Sequence, residues 1–208
     1  MAKFTVLGMG GFGLALAVML DNNGHSVNVW SAFESEIVDI KRDGENKKKL
    51  PGVKIKDSIT LTSDISTVSD SDVVIFGVPT GFVRSVAKQA APFITENTVI
   101  LNTSKGLEDK TFKRMSEVLH EELPNSPIVI LTGPSHAEEV GIGMPTTVVV
   151  ASGNSKYSDY IQSIMSNIAL RIYINDDVVG SELGGSLKNI IALCAGICDG
   201  MGFGDNTK

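Results

Sequence analysis

The feature that most constrains the fold is the glycine-rich run from Gly8 to Gly13, which reads GMGGFG and matches the pattern G-x-G-x-x-G. The apolar residues before it, Phe4 to Leu7, predict a short buried strand, and Leu14 to Leu20 predict the helix that follows. A second strand is predicted at Ser26 to Trp30. A glycine turn between a strand and a helix is typical of a unit whose helix crosses over to a second, parallel strand.

The alternation of strands and helices continues as far as residue 177. Further strands are predicted at 59–62, 72–77, 98–101, 128–131, 146–151 and 171–174, and helices at 34–42, 82–90, 111–122 and 157–168, with a short helix from Ser135. Apolar strands that alternate with helices indicate a parallel sheet covered on both faces. The sequence therefore predicts an α/β domain over 1–177, of the Rossmann type, with a mostly parallel sheet and helices on both faces.

The last segment, 178–208, has a different pattern and predicts a single helix. Its apolar residues fall on one stripe at helical spacing, namely Leu183, Leu187, Ile190, Ile191, Cys194, Ile197 and Cys198. We interpret this helix as the start of a truncated all-α C-terminal domain. The two cysteines are interpreted as small core residues of a reduced protein, and no metal site is predicted.

The charge balance excludes several classes of partner. The chain has 18 Lys+Arg against 24 Asp+Glu, a net charge of −6, and its one dense basic cluster is confined to 41–49. It lacks the broad positive surface that nucleic-acid binding requires, so no nucleic-acid partner is expected. No apolar run approaches the roughly 18 residues of a membrane span, and no signal sequence precedes the first strand. A cytoplasmic protein that is not inserted in a membrane is expected.

The glycine turn predicts a dinucleotide site for NAD or NADP. Gly8 permits the tight turn, Gly10 lets a pyrophosphate approach the backbone, and Gly13 lets the helix pack on the strand, with the anion at the helix N-terminus. The acidic residue expected at the end of the second strand, which would hold the ribose 2′-hydroxyl, is missing from Trp30-Ser31-Ala32. Ser31 is compatible with a 2′-phosphate, but no arginine stands beside it, so the choice of cofactor stays open.

Polar clusters follow three strands, where ligands of such folds bind. They are Val78-Pro79-Thr80, Asn102 to Gly106, and Thr132 to Ser135. Lys105 is suited to neutralise an anionic ligand, the alternative being an exposed loop lysine. Ser135 has a structural alternative, because Ser135 and Glu138 have the spacing of a capping box.

Lys188 is the candidate general base. Its neighbours on the same helical face, Gly184, Gly185, Ala192 and Ala195, are small, which predicts a groove where other parts of the chain approach closely. A lysine desolvated in such a groove would have a lowered pKa and could exchange protons near neutral pH. The alternative is a lysine that extends to solvent.

Five segments together resemble bacterial NAD(P)-dependent glycerol-3-phosphate dehydrogenase. They are 8–17 (GMGGFGLALA), 104–108 (SKGLE), 133–139 (GPSHAEE), 182–192 (ELGGSLKNIIA) and 199–206 (DGMGFGDN). The resemblance implies reversible NAD(P)H-dependent reduction of dihydroxyacetone phosphate to sn-glycerol 3-phosphate, which supplies glycerophospholipid synthesis in the cytoplasm. It leaves open whether the protein is a homodimer.

The resemblance also assigns roles to residues. Lys188 would be the catalytic residue that transfers the proton at the carbon 2 oxygen of the substrate. Lys105 would contact cofactor and substrate. The other substrate-binding residues would be Gly133, Ser135 and Asn189, and the cofactor-binding residues, besides Gly8, Gly10 and Gly13, would be Gly11, Phe12, Ala32, Pro79 and Ala137.

Two departures from the family pattern bear on these expectations. The family, for which NADPH is the expected cofactor, commonly has arginine or histidine where Ala32 stands. Family members are also considerably longer, and their C-terminal half supplies an aspartate and an Arg-Asn pair that bind substrate. An N-terminal fragment with little turnover is therefore expected. The alternatives are a non-catalytic NAD(P)H-binding module, or a 6-phosphogluconate or ketopantoate type of reductase.

Overall fold

A computed structural model describes residues 1–207. Its strands are β1 Lys3–Leu7, β2 Ser26–Trp30, β3 Thr60–Thr62, β4 Val73–Phe76, β5 Val99–Asn102, β6 Ile128–Thr132, β7 Thr146–Ala151 and β8 Leu170–Asn175. Its α-helices are α1 Gly11–Asn22, α2 Glu34–Asp43, α3 Thr80–Ala90, α4 Met115–Glu122, α5 Ala137–Gly141, α6 Ser155–Met165 and α7 Val178–Gly200. Short 3₁₀ helices span Ile65–Asp70, Ala91–Phe93 and Asp205–Thr207. Lys208, the last residue of the predicted terminal segment, lies outside the described residues.

The eight strands form one sheet in the order β3-β2-β1-β4-β5-β6-β7-β8. Neighbouring strands are parallel except β6 and β7, which are antiparallel. The predicted mostly parallel α/β sheet is confirmed. The strand order reverses at β1, where Leu7 is paired with Trp30 on one side and Phe76 on the other. A ligand of such a sheet binds at this reversal, beyond the carboxyl ends of the strands.

Two separate apolar layers cover the sheet. Along β4, Val73 and Ile75 belong to the layer that contains α1 and α6, whereas Val74 and Phe76 belong to the layer that contains α3 and α4. Successive side chains of a strand point to opposite faces, so a strand that is apolar throughout requires cover on both. The continuous apolar runs in the sequence therefore predicted the helices on both faces correctly.

The helix predicted from Thr111 begins only at Met115. Lys110 and Phe112 have φ of 70° and 56°, which a helix does not allow, and Leu107 and Arg114 close the segment as an antiparallel bridge. This loop follows β5 and carries Lys105 near its start. The predicted start of this helix at Thr111 is therefore wrong, because the positive φ of Lys110 and Phe112 keeps the segment before Met115 in a loop.

Helix α7 confirms the predicted terminal helix and begins the helical segment of the chain. Its first turn is capped by Asp177, whose carboxylate accepts a hydrogen bond from the Gly180 N–H at 2.8 Å. Beyond Glu182 its apolar stripe is open, and Leu187 and Ile191 are 46% and 67% exposed. Cys194 is exposed too. The expectation of a core position is therefore wrong for Cys194 within residues 1–207, whereas Cys198 is partly buried and its Sγ lies 3.9 Å from the Thr207 carbonyl oxygen.

No helix in the described part of the chain has both the length and the hydropathy that crossing a membrane requires.

Candidate active site

The glycine turn begins where β1 meets β2. Gly8 has a φ of +114°, and its N–H donates a hydrogen bond to the Trp30 carbonyl at 2.9 Å. A Cβ at Gly13 would lie 2.8 Å from the Gly8 carbonyl oxygen and 3.2 Å from Val6 Cγ1. Glycine at position 13 is therefore required for α1 to pack on β1, the role predicted for it.

The position of Gly10 is open apart from one backbone contact. A Cβ at Gly10 would meet only the Gly77 carbonyl oxygen, at 3.6 Å, so the described residues alone do not require glycine there. No side chain caps the N-terminus of α1, and its first turn holds no acidic residue. Helix N-termini present unpaired N–H groups and a partial positive charge. The turn therefore suits a bound pyrophosphate.

Gly11 is held by a different contact. A Cβ at Gly11 would overlap the Lys49 carbonyl oxygen and lie 3.3 Å from the Ala137 Cβ. The loop after α2 thus lies directly on the glycine turn, and α5 lies beside it. The predicted cofactor residues Gly11 and Ala137 are brought together, and close packing accounts for the glycine.

The loop after β5 is pinned to the loop after β4. The Ser104 hydroxyl donates to the Val78 carbonyl at 2.5 Å, and the Thr103 hydroxyl donates to the Phe76 carbonyl at 2.9 Å. The Ser104 N–H in turn donates to the Asn102 side chain at 3.2 Å. Pro79 directly precedes α3 beside this junction. These bonds fix the backbone from which Lys105 extends.

Lys105 joins the polar clusters. Its Nζ donates to the Gly133 carbonyl at 2.9 Å and lies 5.8 Å from the centroid of the Phe12 ring. Burial lowers the pKa of Lys105, and the positive charge of Lys188 lowers it further. The alternative of an exposed loop lysine is therefore wrong. A half-buried cation between two loops and the glycine turn suits an anionic ligand.

Two hydroxyl groups of the third cluster have no hydrogen-bond partner among the described residues. Thr132 Oγ1 and Ser135 Oγ are both buried. Helix α5 begins at Ala137 without a side-chain cap, so the capping box predicted for Ser135 and Glu138 does not form. Buried hydroxyls normally find partners. The Ser135 hydroxyl is therefore suited to a polar ligand, whereas the Thr132 hydroxyl lies against Gly185 of α7.

A buried carboxylate that the sequence analysis missed anchors α7. Glu182 accepts hydrogen bonds from Arg114 Nη1 at 2.9 Å, the Ser116 N–H at 2.8 Å and the Ser116 hydroxyl at 2.5 Å. Its side chain is 6% exposed. These bonds tie the second turn of α7 to the start of α4. The one sign of this anchor in the sequence was that Glu182 directly precedes Leu183, the first residue of the apolar stripe.

Lys188 lies near Lys105 but is not desolvated. Its side chain is exposed in the described chain, and its Nζ donates to Asn189 Oδ1 at 3.1 Å. A Cβ at Gly184 would meet no atom within 4 Å, whereas one at Gly185 would overlap Thr132 Oγ1. The predicted groove is therefore wrong for Lys188, and only Gly185 provides a close approach. The residue that burial affects is Lys105.

The end of β2 differs from the expectation as well. The Ser31 hydroxyl donates to Glu36 Oε2 at 2.6 Å and accepts the Phe33 N–H at 3.1 Å. It is therefore engaged within the protein rather than available for a 2′-phosphate. Ala32 is exposed beside it.

Comparison with known protein families identifies the family of this chain. The profile described as NAD-dependent glycerol-3-phosphate dehydrogenase N-terminus matches residues 3–158, and the corresponding C-terminus profile matches residues 177–208. The chain belongs to this dehydrogenase family. The resemblance seen in the five sequence segments is thereby confirmed, and the family together with the fold implies that the chain binds NAD or NADP.

Individual dehydrogenases of the family are similar over nearly the whole chain. The "Glycerol-3-phosphate dehydrogenase [NAD(P)+]" of Agathobacter rectalis is 47% identical and that of Bacillus subtilis 48% identical, each over 100% of this chain. The crystal structure of the glycerol-3-phosphate dehydrogenase from Coxiella burnetii superposes with a TM-score of 0.89 at 32% identity, over 99% of this chain and 63% of that one. The chain spans 62% and 61% of the two sequence relatives.

The two neighbouring glycines of α7 predict opposite effects on stability. Gly185→Ala is expected to lower the free energy of unfolding by about 1–2 kcal/mol, since the overlap with Thr132 Oγ1 costs more than the gain in helix propensity. Gly184→Ala is the matched control and is expected to raise that free energy by up to about 1 kcal/mol. Urea denaturation monitored by circular dichroism measures both. Equal stabilisation by the two variants would contradict the packing of α7 on Thr132.

Proposed function

We propose that this chain provides the nucleotide-binding part and the catalytic lysine of an enzyme that reversibly reduces dihydroxyacetone phosphate to sn-glycerol 3-phosphate with NAD(P)H. The observation that carries the proposal is the position of Lys105, which joins the glycine turn to the loop after β6 that holds the partnerless Ser135 hydroxyl, with Lys188 near enough for its charge to lower the pKa of Lys105. Lys105 Nζ lies 5.8 Å from the centroid of the Phe12 ring in the first turn of α1, so it reaches the strand reversal where the cofactor is expected, which supports the same assignment. The membership in the dehydrogenase family supports the reaction.

The proposed chemistry divides the work between two lysines. The bound cofactor supplies the hydride or accepts it. Lys188 transfers a proton between its Nζ and the carbon 2 oxygen of the substrate, so that its ammonium form acts in reduction and its amine form in oxidation. Asn189, which accepts a hydrogen bond from Lys188 Nζ, orients that group.

Lys105 and the loop after β6 hold the anionic substrate in this proposal. An ammonium has three donors, and the Gly133 carbonyl uses one of those of Lys105, which leaves two for a ligand. Gly133 has a φ of +155°, and a Cβ there would lie 3.0 Å from the Val148 Cα, so the turn that aims its carbonyl requires glycine. The buried hydroxyl of Ser135 would complete the substrate contacts.

The biological setting belongs to the same proposal. We place the reaction in the cytoplasm, as a source of glycerol 3-phosphate for phospholipid synthesis, and the enzyme is expected to work without a nucleic-acid partner. A homodimer would agree with the resemblance, and sedimentation analysis of the purified protein tests it.

Fluorescence titration with NADH and NADPH, alongside an assay of dihydroxyacetone phosphate reduction, tests the proposed function. We expect residues 1–208 to bind reduced cofactor but to turn over poorly, because Lys188 and the apolar stripe of α7 stand open to water. A version of the protein that covers the full length of its relatives is expected to turn over.

Three outcomes would contradict this assignment. Rapid turnover by residues 1–208 alone would show that no further segment is needed to close the site. Cofactor binding without turnover by the longer version would favour a non-catalytic binding module. Reduction of ketopantoate or oxidation of 6-phosphogluconate in place of the proposed reaction would favour the other reductases.

A further inference from the structure

The adenosine side of the proposed cofactor site lies at the end of β2. Leu7 is paired with Trp30 across β1 and β2, and the Gly8 N–H donates to the Trp30 carbonyl at 2.9 Å. The glycine turn and the residues that follow β2 are therefore adjacent. In dinucleotide-binding folds this point receives the adenosine ribose, and a carboxylate there accepts a hydrogen bond from its 2′-hydroxyl.

Glu36 of α2 brings a carboxylate to this point. Its Oε2 accepts a hydrogen bond from the Ser31 hydroxyl at 2.6 Å, and its Oε1 accepts one from Lys49 Nζ at 2.5 Å. The Lys49 carbonyl lies against Gly11 of the glycine turn. Glu36 is thus fixed to the end of β2 on one side and to the loop on the glycine turn on the other.

The carboxylate is ionised and partly open to solvent. Burial alone would raise the pKa of Glu36, but the hydrogen bonds from Lys49 and Ser31 and the charge of Lys49 together lower it. Its side chain is 23% exposed. A carboxylate offers about four acceptor positions, of which these two partners occupy two. The remaining positions suit the vicinal hydroxyls of a ribose.

Two of the three lysines of the loop beside Glu36 are paired with carboxylates, and the third, Lys48, is exposed. Lys49 is paired with Glu36, and Lys47 is paired with Asp43 at 3.1 Å. Ala32 and Phe33, directly after Ser31, carry no charge. A phosphate monoester carries about −1.5 to −2 charges at neutral pH, and beside a carboxylate it is repelled. A 2′-phosphate would therefore meet Glu36 while Lys47 and Lys49 are already paired, and Lys48, the remaining lysine of this loop, is exposed and has no side-chain partner among residues 1–207 to hold it at this point.

We propose that Glu36 makes this site selective for NAD over NADP, by accepting a hydrogen bond from the free 2′-hydroxyl of the adenosine ribose and repelling a 2′-phosphate. The proposal rests on the proposed cofactor site and differs from the NADPH expected by family resemblance. No acidic residue directly follows β2, but Glu36 of the next helix supplies the carboxylate, and the hydrogen bond from the Ser31 hydroxyl holds it at the end of β2.

Titration of residues 1–208 with NADH and with NADPH, followed by fluorescence, tests the selectivity. The unsubstituted chain is expected to bind NADH at least about tenfold more tightly. Glu36→Gln keeps the size of the side chain, removes its charge and frees Lys49, so it is expected to reduce the ratio of the two affinities about tenfold, mainly by strengthening NADPH binding. Glu34→Gln is the matched control, since it removes one negative charge from the exposed start of the same helix, and is expected to leave the ratio unchanged.

Thermal denaturation gives a second measurement that needs no activity. NAD⁺ is expected to raise the melting temperature of the chain more than NADP⁺ at equal concentration, and Ala32→Arg, which adds a cation and leaves Glu36 in place, is expected to reverse that order. Equal or tighter binding of NADPH by the unsubstituted chain, or an unchanged ratio in Glu36→Gln, would overturn the proposal. Failure of both cofactors to bind would instead overturn the cofactor site on which it rests.

Discussion

Replacing Lys188 by alanine, in a version of the protein that covers the full length of its relatives, is expected to lower kcat roughly 10²- to 10⁴-fold, the range that general acid–base groups contribute. Lys188 provides the proton at the carbon 2 oxygen in the proposed reaction. Cofactor affinity is expected to stay within a few-fold, because among residues 1–207 the hydrogen bond of Lys188 Nζ is to Asn189 and not to a predicted cofactor residue. Stopped-flow reduction of dihydroxyacetone phosphate and fluorescence titration with NADH measure the two quantities.

The control for this substitution is Lys88→Ala. Lys88 is an exposed lysine in the last turn of α3, at the end of the helix far from the carboxyl ends of the strands, and its loss is expected to leave kcat unchanged. The Lys188 variant has a further signature. Because the charge of Lys188 contributes to the lowered pKa of Lys105, that pKa is expected to rise in the variant. Loss of cofactor binding with Lys188→Ala would mean that this lysine has a different role.

The order of the strands and helices could be predicted because each element has a pattern in its own short stretch of sequence. Strands such as Val73–Phe76 are apolar throughout, a pattern typical of strands that are covered on both faces. The glycine turn marks a place where strand, turn and helix pack closely. The position of Lys105 followed from the same rule, since the carboxyl ends of parallel strands share an edge.

The sequence could not show the side-chain contacts between residues that lie far apart along the chain. Glu182 meets Ser116 across 66 residues, and the pairing of Glu36 with Ser31 and Lys49 depends on how α2 returns to the sheet. Gly184 and Gly185 are indistinguishable by periodicity, and only the position of Thr132 separates them. These contacts determine the charges and the packing within the site. The sequence therefore predicted where the site lies better than it predicted the chemistry of its side chains.

Replacing Gly10 by alanine is expected to weaken NADH binding roughly 10²-fold, about 2.7 kcal/mol, without unfolding the protein. The backbone at Gly10 has φ −70° and ψ 162°, which any residue adopts, and the added Cβ would meet only the Gly77 carbonyl oxygen at 3.6 Å. The free energy of unfolding is therefore expected to change by less than about 1 kcal/mol. The methyl group would instead occupy the space through which a pyrophosphate reaches the N-terminus of α1.

Gly13→Ala separates this functional requirement from a structural one. Its Cβ would lie 2.8 Å from the Gly8 carbonyl oxygen and 3.2 Å from Val6 Cγ1, so it is expected to lower the free energy of unfolding by about 1–3 kcal/mol. Chemical denaturation and NADH titration of both variants give the comparison. Wild-type affinity in Gly10→Ala would place the pyrophosphate away from this turn. The contacts of Gly10 among the described residues do not require glycine, which leaves the approach of the ligand as the reason for its missing side chain. A loss of stability in Gly10→Ala as large as in Gly13→Ala would contradict this and would mean that glycine at position 10 is required by the fold.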